Sequence, residues 1–393
     1  MSDMTTGEIS PIETNTTTPR RFPVQDWLWV LVAVVLVGGI LLGFWLTRQG
    51  DDSAPSAPTG THAPDILFLA PASAANANLY RLAANADTPQ QLTSLSHGVF
   101  DYALSHNQQW VAYSAVNEDG LADIWALNLA TNQRRQLTNC AVVEAHCTNP
   151  AWRADDAQLA YTRRELSESS GWSHTDRVWL VDFASGQSSL LFDDLEIQTY
   201  GPKWSPVGEQ LGVVLVNQPG IVVYDFTTET SLYIPGQESF VGVFSPDGSR
   251  LIYPALRTGA INGYYTHLQM AYLDGSNAEG IYLSGPVETP AEDRSAAFTP
   301  DGQRVALARR YLDERYTTGT QVYILDMTTL AVEPLIVDAA YNHASLSWSQ
   351  DGDWLLMQRF QFEDQRAEIW LYHTTDGSLQ RVYTDAFLPS FIG

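Results

Sequence analysis

SPDGSRLIY (245–253), TPDGQRVAL (299–307) and SQDGDWLLM (349–357) share one plan: a small hydroxyl opener, a tight turn closing on Asp-Gly, two further residues, and a short apolar strand. Pro at the second turn position presets φ, while Asp and Gly accept the geometry that follows. Three looser copies stand upstream, SHNQQWVAY (105–113), RADDAQLAY (153–161) and SPVGEQLGV (205–213). Successive starts lie 48, 52, 40, 54 and 50 residues apart. That spacing is expected of propeller blades or other stacked repeats.

Working outward from the turn gives the rest of one repeat. A large apolar residue ends a first strand just before each turn: Leu104, Trp152, Trp204, Phe244, Phe298 and Trp348. The apolar run after the turn is the second strand. A third, rich in β-branched and aromatic residues, follows a connection of variable length, as in VWLVDF (178–183), IVVYDF (221–226) and VYILDM (322–327). A fourth, such as RRQLT (134–138), completes a four-stranded meander. Trp125, Trp179 and Trp370 share one position of the third strand and read as packing residues.

The two ends supply one more blade between them. Residues 66–93 look like second, third and fourth strands, and AFLPSFIG (386–393) looks like the missing first, since Pro389-Ser390-Phe391 parallels Pro202-Lys203-Trp204. Their pairing would close the ring and remove two exposed sheet edges. The fold class is therefore all-β, a propeller of four-stranded antiparallel blades. Seven blades of about 47 residues fit 65–393, with six or eight as alternatives because the repeat at 100–138 has weak turn chemistry.

The aromatic, Ser-Pro-Asp-Gly, Leu-Ala-Tyr-like strand, Ile-Trp-x-Leu-Asp and Gln-Leu-Thr succession resembles the TolB-like, WD-like propeller repeat. That repeat also builds the non-catalytic propeller of prolyl-oligopeptidase-like enzymes. The resemblance spans 66–392, with the Pro-Asp-Gly core intact only at 246–248 and 300–302. TolB-like propellers act in envelope protein interactions, so the resemblance implies a binding or scaffolding role without identifying a partner.

Residues 27–46, WLWVLVAVVLVGGILLGFWL, carry no charge and are long enough to cross a bilayer as a transmembrane helix. Trp27, Trp29 and Trp45 sit at its ends, as interfacial aromatics do. A cleaved signal peptide would want a shorter apolar region and a small-residue cleavage site, so an uncleaved anchor is the reading adopted. Arg20 and Arg21 before the span, against Arg48 after it, put the N-terminus in the cytoplasm and the propeller outside. Residues 1–26 read as a disordered tail and 47–64 as a flexible linker.

Cys140 and Cys147 are the chain's two cysteines. Close together in an exported domain they are most simply a disulfide within one loop, with two free thiols or a metal site including His146 as the alternatives. No metal or other cofactor is expected. The whole chain carries 45 acidic and 21 basic residues, a formal charge of −24. Such a surface repels phosphate backbones and excludes nucleic acid as a natural partner. Solubility alone also accounts for it.

In a meander the second-to-third connections and the blade crossovers share one face. That face holds the long segments 163–176, 257–268, 309–320 and 359–368. Insertions clustered on one face mark a candidate binding surface for a protein or peptide. Its candidate contact residues are Trp172, His174, Tyr264, Tyr265, His267, Tyr311, Arg315, Tyr316, Phe360, Phe362 and Arg366, aromatics and arginines of the kind that anchor partners. Packing of the loops themselves is the plain alternative for each. Catalytic signatures are thin: there is no Gly-x-Ser-x-Gly, His-Glu-x-x-His or Cys-x-x-Cys. An extracytoplasmic glycan lyase or hydrolase, with its site at the channel, stays open as the second reading.

Overall fold

The computed structural model describes residues 63–84, 86–167, 173–236, 240–258, 264–277, 280–283 and 289–392. The tail, the apolar segment 27–46 and all but the last two linker residues lie outside them. The described residues form seven blades: blade 2 spans 99–136, blade 3 145–190, blade 4 199–235, blade 5 243–282, blade 6 291–336 and blade 7 341–384. Blade 1 takes three strands from one end of the chain (Asp65–Ala70, Asn78–Leu82, Gln90–Gln91) and its first strand from the other (Phe387–Ile392). Ile66 pairs with Phe391 and Asp65 with Ile392, antiparallel. A single parallel bridge, Thr266 to Glu292, joins blades 5 and 6.

First strands touch their counterparts in neighbouring blades, so they line the propeller axis. Both faces of each blade are covered by other blades, which is why second strands are apolar runs instead of alternating ones. Leu355, Leu356 and Met357 are all fully buried, as are Val305, Ala306 and Leu307. Two of the tryptophans that end first strands bond one blade to the one before it. Trp152 Nε1 donates to the Ala103 carbonyl (3.1 Å), and Trp348 Nε1 to the Ala297 carbonyl (3.2 Å). Closure uses the same contacts: Phe391 packs with Phe68, Leu356 and Ile369, and the Tyr102 hydroxyl of blade 2 donates to the Leu67 carbonyl (2.9 Å).

Four first strands carry a residue with left-handed backbone, Asn149 (φ 55), Gly201 (φ 60), Ser345 (φ 52) and Leu388 (φ 49), and Gly242 (φ 93) has it just before the first strand of blade 5. The register shifts there in those four strands, a repeated bulge that re-aims the neighbouring residues at the rim of the channel. Gly242 is required, since a Cβ would stand 2.2 Å from the Ile252 carbonyl oxygen.

The signature turn is a hydrogen-bond unit. Ser245 Oγ donates to Asp247 Oδ1 (2.5 Å) and accepts from the Arg250 amide (3.0 Å), and the Ser249 amide donates to the same carboxylate oxygen (3.0 Å). Thr299 with Asp301, and Ser349 with Asp351, repeat it. The Ser245 hydroxyl bond, followed by the Ser249 bonds, holds Asp247 down to about 2, and the Asp301 and Asp351 carboxyls are lowered by the same donors. A folded pKa below the unfolded one contributes stability above the unfolded value that is lost as pH falls through the folded one. The thermal midpoint should therefore fall between about pH 4 and pH 2. In the triple variant Asp247→Asn, Asp301→Asn, Asp351→Asn that acid slope should flatten; an unchanged slope in calorimetric scans would refute the assignment.

Cys140 and Cys147 form a disulfide with Cα atoms 6.0 Å apart. The sequence placed both in one loop, but Cys147 belongs to the first strand of blade 3, Ala145–Trp152, where it pairs with Arg163. The bridge thus staples a blade crossover to the strand that follows it. Asp123 Oδ1 accepts the Thr138 hydroxyl (2.9 Å) and also the Cys140 amide, fixing the crossover from blade 2.

Candidate functional site

The long connections are extended hairpins for much of their length. In blade 3 the second and third strands run Gln158–Ser167 and Ser173–Asp182, paired continuously from Asp182↔Gln158 to Ser173↔Ser167. In blade 5 Arg250–Thr258 pairs with Tyr264–Tyr272. Continued pairing gives these backbone amides and carbonyls partners that a loop would have to find one by one. Of the eleven candidate residues, Trp172 lies outside the described residues. His174 and Tyr264 lie on the hairpin strands, opposite Leu166 and Thr258.

The remaining candidates divide by burial. His267 is fully buried, with Nε2 donating to the Thr289 carbonyl (2.9 Å), and Tyr311 is buried in a strand. His267 is held at the crossover from blade 5 to blade 6 and Tyr311 packs within blade 6 against Tyr323 and Arg309, contrary to the reading of them as surface contacts. Tyr265 is half-buried, as are Phe360 and Phe362, whose ring centroids lie 6.1 Å apart. Arg366 is exposed, Tyr316 is 56% exposed, and Arg315 pairs with Asp313 while its guanidinium lies 3.7 Å from the centre of the Tyr311 ring.

Beneath this surface lies a layer of buried charge that the sequence did not disclose. Arg309 and Asp293 face each other across the first and second strands of blade 6, and the guanidinium grips the carboxylate through Nε (2.7 Å) and Nη2 (3.0 Å). Asp293 Oδ2 also accepts the Leu268 amide of blade 5 (3.2 Å). Blade 7 repeats the plan at the same register with His343 opposite Arg359. Arg359 binds Asp338 and lies 3.7 Å from the Tyr341 ring and 4.5 Å from Trp370. His343 Nδ1 donates to the Thr320 carbonyl (2.8 Å), and burial pushes its pKa down to about 4. Arg163 over Trp179 (4.7 Å) is the blade 3 counterpart. Among the described residues no three His, Cys, Asp or Glu side chains gather closely enough to hold a metal ion.

On the axis, the first strands of blades 2 to 4 and the entry to blade 5 border an open cavity of about 440 Å³. Asp101, Tyr102, Asn149, Pro150, Pro202, Lys203, Phe240 and Gly242 contribute to its wall. Asp101 accepts the Ser114 hydroxyl and the Asn149 amide (2.7 Å), and burial pushes its carboxyl up to about 6. Lys203 Nζ donates to the Gly242 carbonyl (2.8 Å). Its side chain is open to water in the lumen, yet the dense surrounding protein lowers its pKa to about 8. Sequence reasoning passed over this residue. The signal was available: it is the one lysine in 393 residues.

No family model matches the sequence, and no curated protein matches it. Solved structures do. Oligogalacturonate lyase from Vibrio parahaemolyticus aligns at 15% identity with a TM-score of 0.58, covering 77% of this chain and 84% of that one. The β-propeller domain of the Trilobed protease from Pyrococcus furiosus aligns at 15% identity and 0.53, over 72% and 84%. TolB from Acinetobacter baumannii aligns at 15% identity and 0.46, over 84% and 67%. The Pyrococcus domain is described as having an open velcro topology, whereas here strands from both ends of the chain close blade 1. Identities this low speak to fold and not to activity. What the lyase and protease structures show for this chain is the β-propeller fold.

Proposed function

We propose that this protein is a membrane-tethered propeller that binds a protein or peptide of the cell envelope on its hairpin face, outside the cytoplasm. The supporting observation is where apolar surface remains uncovered. Twelve large apolar side chains are exposed among the described residues, and ten of them lie on the face of the hairpins and crossovers. Val142, Val143, Leu195, Phe240 and Val337 occupy crossovers; Val216 and Tyr316 occupy second-to-third connections and Leu256 the far end of a second strand; Phe100 and Leu388 lie near the entry of first strands. Only Val207 and Leu330 lie in turns of the opposite face. Single exposed apolar residues are ordinary, but their segregation to one end of a propeller marks an interaction surface.

A cleft of about 570 Å³ on this side, lined in part by Phe192, Ile197, Leu215, Val222 and Tyr233, is suited to an apolar side chain of a partner. The apolar span 27–46, with Arg20 and Arg21 before it, supports the anchor and its orientation. A disulfide is at home in the oxidising compartment this implies.

Photo-crosslinking residues introduced in intact cells at Val142, Phe240 and Tyr316, and separately at Val207 and Leu330, test the reading. Defined adducts are expected from the first three positions alone. Adducts distributed equally over both faces, or none from the hairpin face, would overturn it.

A further inference from the structure

We propose that the cavity on the propeller axis is a binding site for a monocarboxylate carried on an apolar body, with Lys203 as its cationic contact. The cavity is lined chiefly by first strands and meets the hairpin face at the crossover residue Phe240.

Comparison of the seven first strands isolates the residue. At the position just before the terminal aromatic or leucine, the other six blades have Ala103, Ala151, Val243, Ala297, Ser347 and Ser390. At that level the other blades carry small or short side chains, and Ala103, Ala151, Val243 and Ala297 pack into the cores between blades. Blade 4 alone has a long cationic one, in a chain that uses arginine for every other basic position. Several arginines meet a carboxylate, Arg309 with Asp293, Arg359 with Asp338 and Arg81 with Asp65, whereas Arg134, Arg135 and Arg177 bond backbone carbonyls. Among the described residues no carboxylate pairs with Lys203, although the chain has 45 acidic residues to draw on. Its ammonium has three N–H donors and spends one on the Gly242 carbonyl (2.8 Å). The lumen beside it offers room for an acceptor from outside the chain.

The rest of the wall sets the class of ligand. Tyr102, Pro150, Pro202 and Phe240 give apolar surface for a body of several carbons. Asp101, in the same cavity, disfavours a second negative charge and so disfavours phosphate. Asp101 is held by the Ser114 hydroxyl and the Asn149 amide, so a single carboxylate is the most that the Lys203 ammonium can take beside it. The shared chemistry has two sources, the free C-terminus of a peptide or a small organic acid.

The lone lysine provides its own reporter. The full chain, labelled with ¹³C and ¹⁵N in lysine only and held in detergent, gives a side-chain NMR signal assignable to Lys203 without mutagenesis. It is titrated with N-acetylphenylalanine, with N-acetyl-Ala-Ala-Phe bearing a free C-terminus, with the carboxamide of each, and with inorganic phosphate. Saturable shifts of the Lys203 signal are expected with both acids and none with the amides. In calorimetric titrations Lys203→Met should weaken the acids by about tenfold or more, while its thermal midpoint stays at the wild-type value. Tighter binding of the tripeptide identifies a peptide terminus as the source, and equal or tighter binding of N-acetylphenylalanine identifies a free organic acid. No saturable shift with either acid, amides as effective as acids, or phosphate at least as tight as the acids would each overturn the proposal. Because the titration reads the wild-type chain, it decides the matter even if Lys203→Met folds poorly.

Discussion

A chain ended at Asp385 is expected to lose its cooperative thermal transition. Removing 386–393 takes the first strand from blade 1 and with it Ala386 and Phe391, both buried, and Phe387 and Ile392, which pack against the neighbouring core. Deleting two or three such side chains costs on the order of 5–10 kcal/mol, comparable with the whole stability of a typical domain. The loss goes beyond one blade, because Asp65–Ala70 becomes an uncovered edge and Tyr102 of blade 2 loses its bonds to the Leu388 carbonyl and Ser390. Phe391→Ala is the milder form and should cost about 3–5 kcal/mol. Differential scanning calorimetry checks both. A truncated chain melting within a few degrees of the full one would show that closure contributes little.

Arg309→Ala is expected to destabilise by about 3–5 kcal/mol, because it leaves Asp293 buried without its bidentate partner. The comparison that makes this informative is Arg315→Ala, which removes a similar pair with Asp313 at the surface. Arg315 is half exposed there, and the change should cost no more than about 1 kcal/mol. Replacing both buried partners with apolar residues, Arg309→Met with Asp293→Leu, should recover much of the loss, since removing the pair also removes the cost of desolvating it. Urea unfolding midpoints measure all three. If Arg309→Ala and Arg315→Ala proved equally mild, the buried pair would be an incidental contact and not a support for the junction of blades 5 and 6.

The blades were legible because each one is specified locally. A turn whose Asp accepts two or three nearby donors, an aromatic that ends the strand before it, and an apolar run after it all lie within about fifteen residues of one another. Ring closure was legible for a different reason: Pro389-Ser390-Phe391 copies an internal repeat closely enough to be matched with a blade lacking a first strand. The hairpin face was harder. Its position followed from the meander, but His267 and Tyr311, read there as contact residues, are buried, one bonded to Thr289 in the crossover that follows its blade and the other packed against Tyr323 across strands. Arg309 and Arg359 open the segments 309–320 and 359–368, where nothing local marks them for burial; it depends on Asp293 and on Asp338, Tyr341 and Trp370, distant in sequence. Lys203 needed no structure to be noticed, only alignment of the first strands against one another.

The closure of blade 1 sets a schedule for the molecule's own synthesis. Asp65–Ala70 is made first among the strands, yet its partner Phe387–Ile392 emerges roughly 320 residues later. At about 5–20 residues per second that is an interval of roughly 15–60 s. Throughout it a strand of five buried apolar residues keeps one edge unsatisfied. That edge must be guarded, by speed or by a chaperone, until Phe387–Ile392 arrives.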